Sequence, residues 1–95
     1  MNPTSINTDF ELVLRHSGFR LQVPAELSIL EAIEEIGIQW PNSCREGVCG
    51  TCEATVAKGK PDHRDKVLTQ AERSAGTTMM ICVSRSLEPV LELDL

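Results

Sequence analysis

The residues of this sequence with the greatest potential for chemistry are its four cysteines. They are Cys44, Cys49, Cys52 and Cys82. Four residues separate the first two, two separate the next two, and twenty-nine separate the last two. A C-x4-C-x2-C run with a distant fourth cysteine is a known ligand spacing for a [2Fe-2S] cluster, in which four thiolates hold two irons. The spacing therefore indicates an iron–sulfur site and the chemistry of one-electron transfer.

The loop around the first three cysteines contains the residue types that such a cluster requires. Three ligands within nine residues force the backbone to wrap one side of the cluster and turn its N–H groups toward sulfur. Glycine suits this wrapping because it adopts positive φ and allows close approach of backbone to a ligand. Val48 and Thr51 are expected to leave room for the cluster while excluding water. The predicted cofactor-binding residues are Arg45, Gly47, Val48, Gly50 and Thr51.

Two other uses of four cysteines remain open at this point. Disulfides suit an oxidising compartment, but residues 1–9 have neither the basic start nor the apolar segment of a signal peptide. Structural zinc is the stronger alternative, because tetrahedral four-cysteine sites are common in proteins. Zinc sites usually consist of two short C-x2-4-C pairs, whereas here the fourth cysteine stands alone. The zinc hypothesis predicts a metal-stapled interaction module instead of an electron carrier.

Composition limits the class of protein. The 95 residues suffice for one domain, and no apolar run approaches the ~20 residues that cross a bilayer. Fourteen acidic and nine basic residues give a net charge of −5, which argues against nucleic acid or an anionic membrane as a partner. No Cys/His or paired-carboxylate arrangement indicates catalysis, so no catalytic residue is predicted. We expect a cytoplasmic monomer that docks onto other proteins.

The first part of the chain predicts a lead-in and a hairpin. Residues 1–8 are polar and are expected to be a flexible segment or linker stub, with the domain over residues 9–95. Apolar residues alternate with polar ones over residues 9–15 and again over residues 19–23. A turn at residues 16–18 joins the two alternating segments, which is typical of a β-hairpin.

Two capping boxes predict where helices begin. Ser28 and Glu31 form the first box, before apolar residues at helical spacing, and Gly37 is expected to end this main helix. Thr69 and Glu72 form the second box, which begins a short helix.

The rest of the chain predicts further strands. Residues 53–58, 79–83 and 91–95 have strand-like patterns, and Cys82 lies inside the second of these segments. Residues 62–65 are all charged or histidine and are expected to form a surface turn. The order of elements predicts an α+β fold, with a mixed sheet packed on one main helix.

Several segments together resemble a known family. They are Ser-Cys-Arg-Glu-Gly-Val-Cys-Gly-Thr-Cys at 43–52, Pro-Asp-His-Arg-Asp-Lys-Val-Leu at 61–68, Met-Met-Ile-Cys-Val-Ser-Arg at 79–85 and the closing Leu-Glu-Leu-Asp-Leu. The chain resembles a plant-type [2Fe-2S] ferredoxin with the β-grasp fold. In particular it is similar to the C-terminal ferredoxin domain of phthalate dioxygenase reductase-type enzymes, including the vanillate demethylase reductases.

The resemblance implies roles and partners. It implies that Cys44 and Cys49 ligate one iron, the more exposed one on which the electron resides, and that Cys52 and Cys82 ligate the other. In that family an NAD(P)H-reduced FMN in other domains passes single electrons through the cluster to a Rieske-type oxygenase, and related modules serve cytochrome P450 systems. This chain has no room for a flavin or nicotinamide domain, so we expect a stand-alone carrier or the carrier module of a longer reductase.

Overall fold

The computed structural model describes residues 8–41 and 50–95. The elements in these ranges, in chain order, are β1 (Phe10–Leu14), β2 (Phe19–Val23), α1 (Ile29–Glu35), β3 (Glu53–Lys58), β4 (Pro61–Asp62), α2 (Gln70–Ala75), β5 (Thr78–Met80), β6 (Arg85–Ser86) and β7 (Val90–Leu93). Residues 1–7, most of the expected lead-in, lie outside the described residues. No helix in the described ranges has the length and apolar character that a membrane crossing needs.

The central sheet has five strands in the order β2-β1-β7-β3-β5, and β4 pairs with β6 in a small second sheet. The predicted hairpin is present as antiparallel β1 and β2, in register from Phe10 opposite Val23. β7 pairs parallel with β1 and antiparallel with β3, and β3 pairs antiparallel with β5. Parallel neighbours need a long crossover, which the chain between β1 and β7 provides. The prediction of a mixed sheet is confirmed.

The core lies between this sheet and α1. Alternate residues of β1 are buried, which is the reason its sequence alternates. α1 contributes four buried residues to the same core cluster. They are Ile29, Leu30, Ala32 and Ile33. Burial of each large aliphatic side chain is worth about 1.5–3 kcal/mol, so the main helix and the sheet stabilise each other.

Both predicted capping boxes are formed. The Ser28 hydroxyl accepts the Glu31 N–H at 3.0 Å, and the Glu31 carboxylate accepts the Ser28 N–H at 2.9 Å. Thr69 caps α2 in the same way. Gly37 follows α1 with a φ of 90°, and Gly76 ends α2 with a φ of 65°. Positive φ is the conformation that a glycine after a helix supplies without steric strain.

The strand predicted over residues 79–83 is wrong in its second half. β5 ends at Met80, and the Ser84 N–H turns back to the Met80 carbonyl at 2.9 Å, so Cys82 lies in a turn. The whole apolar run is buried apart from Val83, which is why its sequence resembles a strand. The chain leaves the ladder because the Ile81 carbonyl accepts the Leu30 N–H of α1 at 3.0 Å instead of a strand partner.

The charged surface turn predicted over residues 62–65 is also wrong. Asp62 belongs to β4, which pairs with β6. Asp65 is buried, and the His63 side chain is only 8% exposed. The prediction failed because the Asp65 charge is satisfied inside the protein, by backbone N–H groups of the residues that follow it.

A buried arginine joins distant segments of the chain. The Arg85 guanidinium of β6 donates to the carbonyls of Thr8, Pro24 and Leu27 and lies 5.2 Å from the Phe10 ring centroid. Burial lowers the pKa of Arg85, although nearby carboxylates oppose that shift. Arg85 therefore ties the start of the described domain and the approach to α1 to the segment that follows Cys82.

Replacing Gly59 by alanine is expected to destabilise the fold more than replacing Gly18. Both glycines have positive φ, of 98° and 77°. A β-carbon at Gly59 would lie 2.9 Å from the Val90 carbonyl oxygen, whereas one at Gly18 would meet nothing within 4 Å. Gly18→Ala should lower the free energy of unfolding by about 1 kcal/mol, and Gly59→Ala by about 2 kcal/mol or more, measured by urea unfolding. Equal losses would show that close packing of Gly59 on β7 has no energetic weight.

Candidate metal centre

The two described cysteines lie at the same end of one strand pair. Cys52 directly precedes β3, and Cys82 follows β5 by two residues. Glu53 and Met80 are partners in the antiparallel ladder, so the chain emerges from both strands at one edge of the sheet. Cys52 is 2% exposed and Cys82 8%, so both side chains are buried. Two remote positions in sequence are thereby brought into one buried region.

The remaining predicted ligands fall in the part of the chain that the structure leaves undescribed. Cys44 and Cys49, with Arg45, Gly47 and Val48, lie outside the described residues. Within residues 8–41 and 50–95, no group of three or more potential metal ligands occurs.

Gly50 and Thr51 form the end of the cysteine loop. The Gly50 φ is 77°, and its carbonyl accepts the Glu53 N–H at 3.3 Å. This tight turn leads directly into Cys52. Positive φ at Gly50 is the property that suits the predicted wrapping of backbone around a cluster.

Trp40 clamps the ends of the loop together. Its indole Nε1 donates to the Cys52 carbonyl at 3.2 Å, and its ring packs half-buried against the core. From the sequence alone, we expect Trp40 either to cap the core beneath the cysteine loop or to shield the site from solvent. The structure shows contact with the core and a direct bond to the backbone of a predicted ligand. This bond joins the entrance of the loop to its exit.

The turn that carries Cys82 is anchored on two sides. On one side its Ile81 carbonyl is held by α1, and on the other side the Ser84 hydroxyl accepts the Arg64 N–H at 3.0 Å. A recess of about 180 Å³ opens beside Cys82 and is lined by Ser28, Leu30, Glu31 and Cys82.

The described half of the site fits an iron–sulfur group. Its donors are thiols, the soft ligands that iron–sulfur clusters take. A thiolate buried in apolar surroundings is unfavourable unless a cation is bound to it. The buried neighbours Met79, Met80 and Ile81 exclude water on the sheet side. Gly50 provides the close backbone approach on the loop side.

Asp65 is the residue near the site that sequence reasoning missed. Desolvation by burial raises the pKa of Asp65, but hydrogen bonds from the Leu68 and Val67 N–H groups and the charge of Arg73 outweigh it, so the pKa is lowered. The Val67 side chain in turn reaches Gly50. The sequence did contain a signal for this arrangement. An aspartate side chain often accepts hydrogen bonds from the backbone N–H groups two and three residues further along the chain, which here are those of Val67 and Leu68.

Comparison with known proteins agrees with the geometry. Residues 13–87 match the family described as 2Fe-2S iron-sulfur cluster binding domain. The reductase subunit TsaB1 of the toluene-4-sulfonate monooxygenase system of Comamonas testosteroni is 47% identical over 93 residues, which cover 98% of this chain and 29% of that protein.

Solved structures give the same result. Phthalate dioxygenase reductase, described as a modular structure for electron transfer from pyridine nucleotides to [2Fe-2S], superposes with a TM-score of 0.92 at 40% identity, covering 100% of this chain and 29% of that chain. An intact type IV self-sufficient cytochrome P450 monooxygenase superposes with a TM-score of 0.92 at 42% identity, covering 99% of this chain and 12% of that chain.

A mixed sheet that brings two buried cysteines together at one edge, beside a glycine turn, defines a ferredoxin-type domain. The chain belongs to the 2Fe-2S iron–sulfur cluster binding domain family, and its homologues are the ferredoxin domains of phthalate dioxygenase reductase-type proteins. The predicted β-grasp ferredoxin fold and [2Fe-2S] cofactor are confirmed, and the family match favours the cluster over zinc. The chain spans less than a third of the length of these relatives.

Cluster binding is expected to quench the fluorescence of Trp40, the single tryptophan. The indole is bonded to the backbone of Cys52, and iron–sulfur clusters absorb at the wavelengths where tryptophan emits. Most of the emission should be lost when the apoprotein is reconstituted with iron and sulfide. Protein loaded with zinc, which does not absorb there, is the control and should keep its emission. Equal emission from the two forms would place the cluster far from Trp40.

Proposed function

We propose that this chain carries single electrons from an NAD(P)H-reduced flavin to a terminal oxygenase. The observation that supports this most directly is the convergence of buried Cys52 and Cys82 at one edge of the sheet. When bound there, a [2Fe-2S] cluster supplies a one-electron couple, at about −400 mV in plant-type ferredoxins.

The proposed ligands are Cys44 and Cys49 on one iron and Cys52 and Cys82 on the other. Cys52 and Cys82 are held by rigid neighbours, since the first leads into β3 and the second lies in a turn bonded to α1. The proposed contribution of the loop, with Arg45, Gly47, Val48, Gly50 and Thr51, is to direct backbone N–H groups at sulfur and to keep water away. Such surrounding interactions set the potential of a cluster.

The proposed partners follow from the relatives. The names of these relatives include a monooxygenase system reductase subunit, a phthalate dioxygenase reductase and a cytochrome P450 monooxygenase. We propose that the electron donor is an FMN-containing reductase, either another domain of the same polypeptide or a separate protein, and that the acceptor is a Rieske-type oxygenase or a cytochrome P450. The chain itself is the carrier, without a catalytic residue, and works as a cytoplasmic monomer with no nucleic-acid partner.

Replacing Cys52 or Cys82 by serine is expected to abolish stable cluster binding. Serine presents a harder oxygen donor in place of a thiolate, and each iron needs two thiolates. Either variant should lose most of its iron and acid-labile sulfide, measured after anaerobic reconstitution together with the visible spectrum. Thr55→Ser, at an exposed position of β3, is the control and should load fully. A variant with its full iron and sulfide content would remove that cysteine from the ligand set.

The electron path is testable with defined partners. The protein, loaded with cluster under argon, is mixed with NADH and the flavin and nicotinamide domains of phthalate dioxygenase reductase lacking their own ferredoxin domain. The visible bands should bleach only when the loaded protein, NADH and the truncated reductase are all present. The paramagnetic signal of a reduced cluster should then appear. When NADH is the limiting reagent, adding an excess of oxidised phthalate dioxygenase should restore the bands, because the oxygenase takes up the electrons. The Cys82→Ser variant is the control, and no bleaching of the loaded parent protein would count against a flavin donor of this type.

A further inference from the structure

The segment between β4 and α2 contains a buried charge that cluster ligation does not use. We propose that Asp65 is a positioning residue, which holds Val67 as an apolar cover on the cysteine loop at Gly50 and so limits the access of water to the cluster. This inference rests on the proposed ligation of the cluster by the cysteine loop and Cys82. The chemistry of the site would then depend on a residue well separated in sequence from every cysteine.

One carboxylate oxygen of Asp65 fixes the backbone that follows it. The Asp65 side chain is fully buried, and its Oδ2 accepts the N–H of Val67 at 2.9 Å and of Leu68 at 2.8 Å. Two charge-assisted bonds to one oxygen leave the Val67 backbone little freedom. Leu68 packs into the core, so the turn is also held from below.

The fixed turn places the Val67 side chain on the loop. Its Cγ1 lies 3.4 Å from the position that a β-carbon on Gly50 would take, which places the Val67 side chain directly beside the Gly50 backbone. Gly50 stands between Cys49 and Cys52 in the sequence. Val67 is 37% exposed, with part of its surface on the loop and part in water. This is the position of a cover at the boundary between the site and solvent.

The second support for Asp65 comes from α2. The Arg73 guanidinium donates to the Asp65 carbonyl and lies 3.9 Å from the Asp65 carboxylate. α2 has no buried residue of its own, so this link to Asp65 is a main attachment of the helix to the domain among the described residues. Arg73 and the backbone donors together compensate the charge that burial would otherwise make unfavourable.

The cluster of side chains around Asp65 is not optimised for stability alone. In the described part of the chain, Asp65 Oδ1 and both ring nitrogens of His63 are buried without hydrogen-bond partners, and His63 Nδ1 lies 3.9 Å from Asp65 Oδ1. Buried polar atoms without partners are unfavourable, and each one in a native protein requires an explanation. An apolar residue at position 65 would avoid the free-energy cost of burying a charge. The role of Asp65 in placing Val67 on the loop is a reason to retain the charged residue.

The cover has a direct consequence for reduction. Reduction adds one negative charge to a site that thiolates and sulfides already make negative. Water stabilises the more highly charged form, so better access of water should move the potential to less negative values. Better access should also speed the loss of iron to a chelator.

The test compares four single variants of the cluster-loaded protein and one double variant. Val67→Ala removes the cover at a partly exposed position, where little loss of stability is expected. Asp65→Ala removes the acceptor that positions it, and Asp65→Asn keeps an acceptor oxygen. Asp62→Ala is the matched control, because it breaks the nearby ion pair with Arg64, 2.8 Å long, without touching Val67.

Three measurements separate positioning from a structural role. They are the potential by mediated dithionite titration, the rate of iron loss to bathophenanthroline disulfonate, and deuterium modulation of the reduced-cluster paramagnetic signal in D₂O. Val67→Ala and Asp65→Ala should both shift the potential to less negative values, release iron about 5-fold faster or more and increase the deuterium modulation. Asp65→Asn should stay close to the parent protein in all three measurements, because it keeps an acceptor oxygen. Asp62→Ala should match the parent protein.

The double variant Asp65→Ala with Val67→Ala should behave like Val67→Ala, because loss of the positioning residue has no further effect once the cover is absent. The proposal is overturned if Val67→Ala leaves the potential and deuterium modulation unchanged, or if the two single effects add. Should Asp65→Ala fail to fold, Val67→Ala and Asp65→Asn decide the matter. Failure of the ligand assignment would show differently, as a parent protein that loads no cluster.

Discussion

The antiparallel pairing of β3 with β5 is the constraint on which the site depends. Cys52 enters one strand and Cys82 follows the other, so the ladder from Glu53 to Met80 decides that the two thiols share one buried region. The same sheet joins β3 to β7 and β7 to β1, which makes the first and last strands of the chain part of the support for the site. The core of the domain therefore also holds the two cysteines, since both belong to the same cluster of buried residues.

Most of the fold could be predicted because its determinants are local. The β1–β2 hairpin follows from alternation, and the boundaries of α1 and α2 follow from capping residues that bond within four positions of themselves. The turn at Cys82 was missed because its cause is remote. The strand-like segment over residues 79–83 ends early because the Leu30 N–H of α1 donates to the Ile81 carbonyl. The sequence of the segment itself gives no sign of that donor.

The candidate site likewise has some features that follow from local sequence and others that depend on remote contacts. The identities of Cys52 and Cys82 as site residues follow from residue type and spacing, and the structure brings the two together. The burial of Asp65 was missed because the local signal, an aspartate that accepts from the Val67 and Leu68 N–H groups, does not reveal the further support from Arg73 of another element. For the same reason, the hydrogen bond from Trp40 to the Cys52 carbonyl was not predicted, because it joins residues on opposite sides of the cysteine loop.

Arg85 gives the domain a mechanical property. One planar guanidinium grips the carbonyls of Thr8, Pro24 and Leu27, at a point three residues beyond Cys82. None of these backbone segments can shift alone without breaking a charge-assisted hydrogen bond to Arg85. A displacement of the chain at Thr8 is therefore opposed at Arg85 before it reaches the turn that contains Cys82.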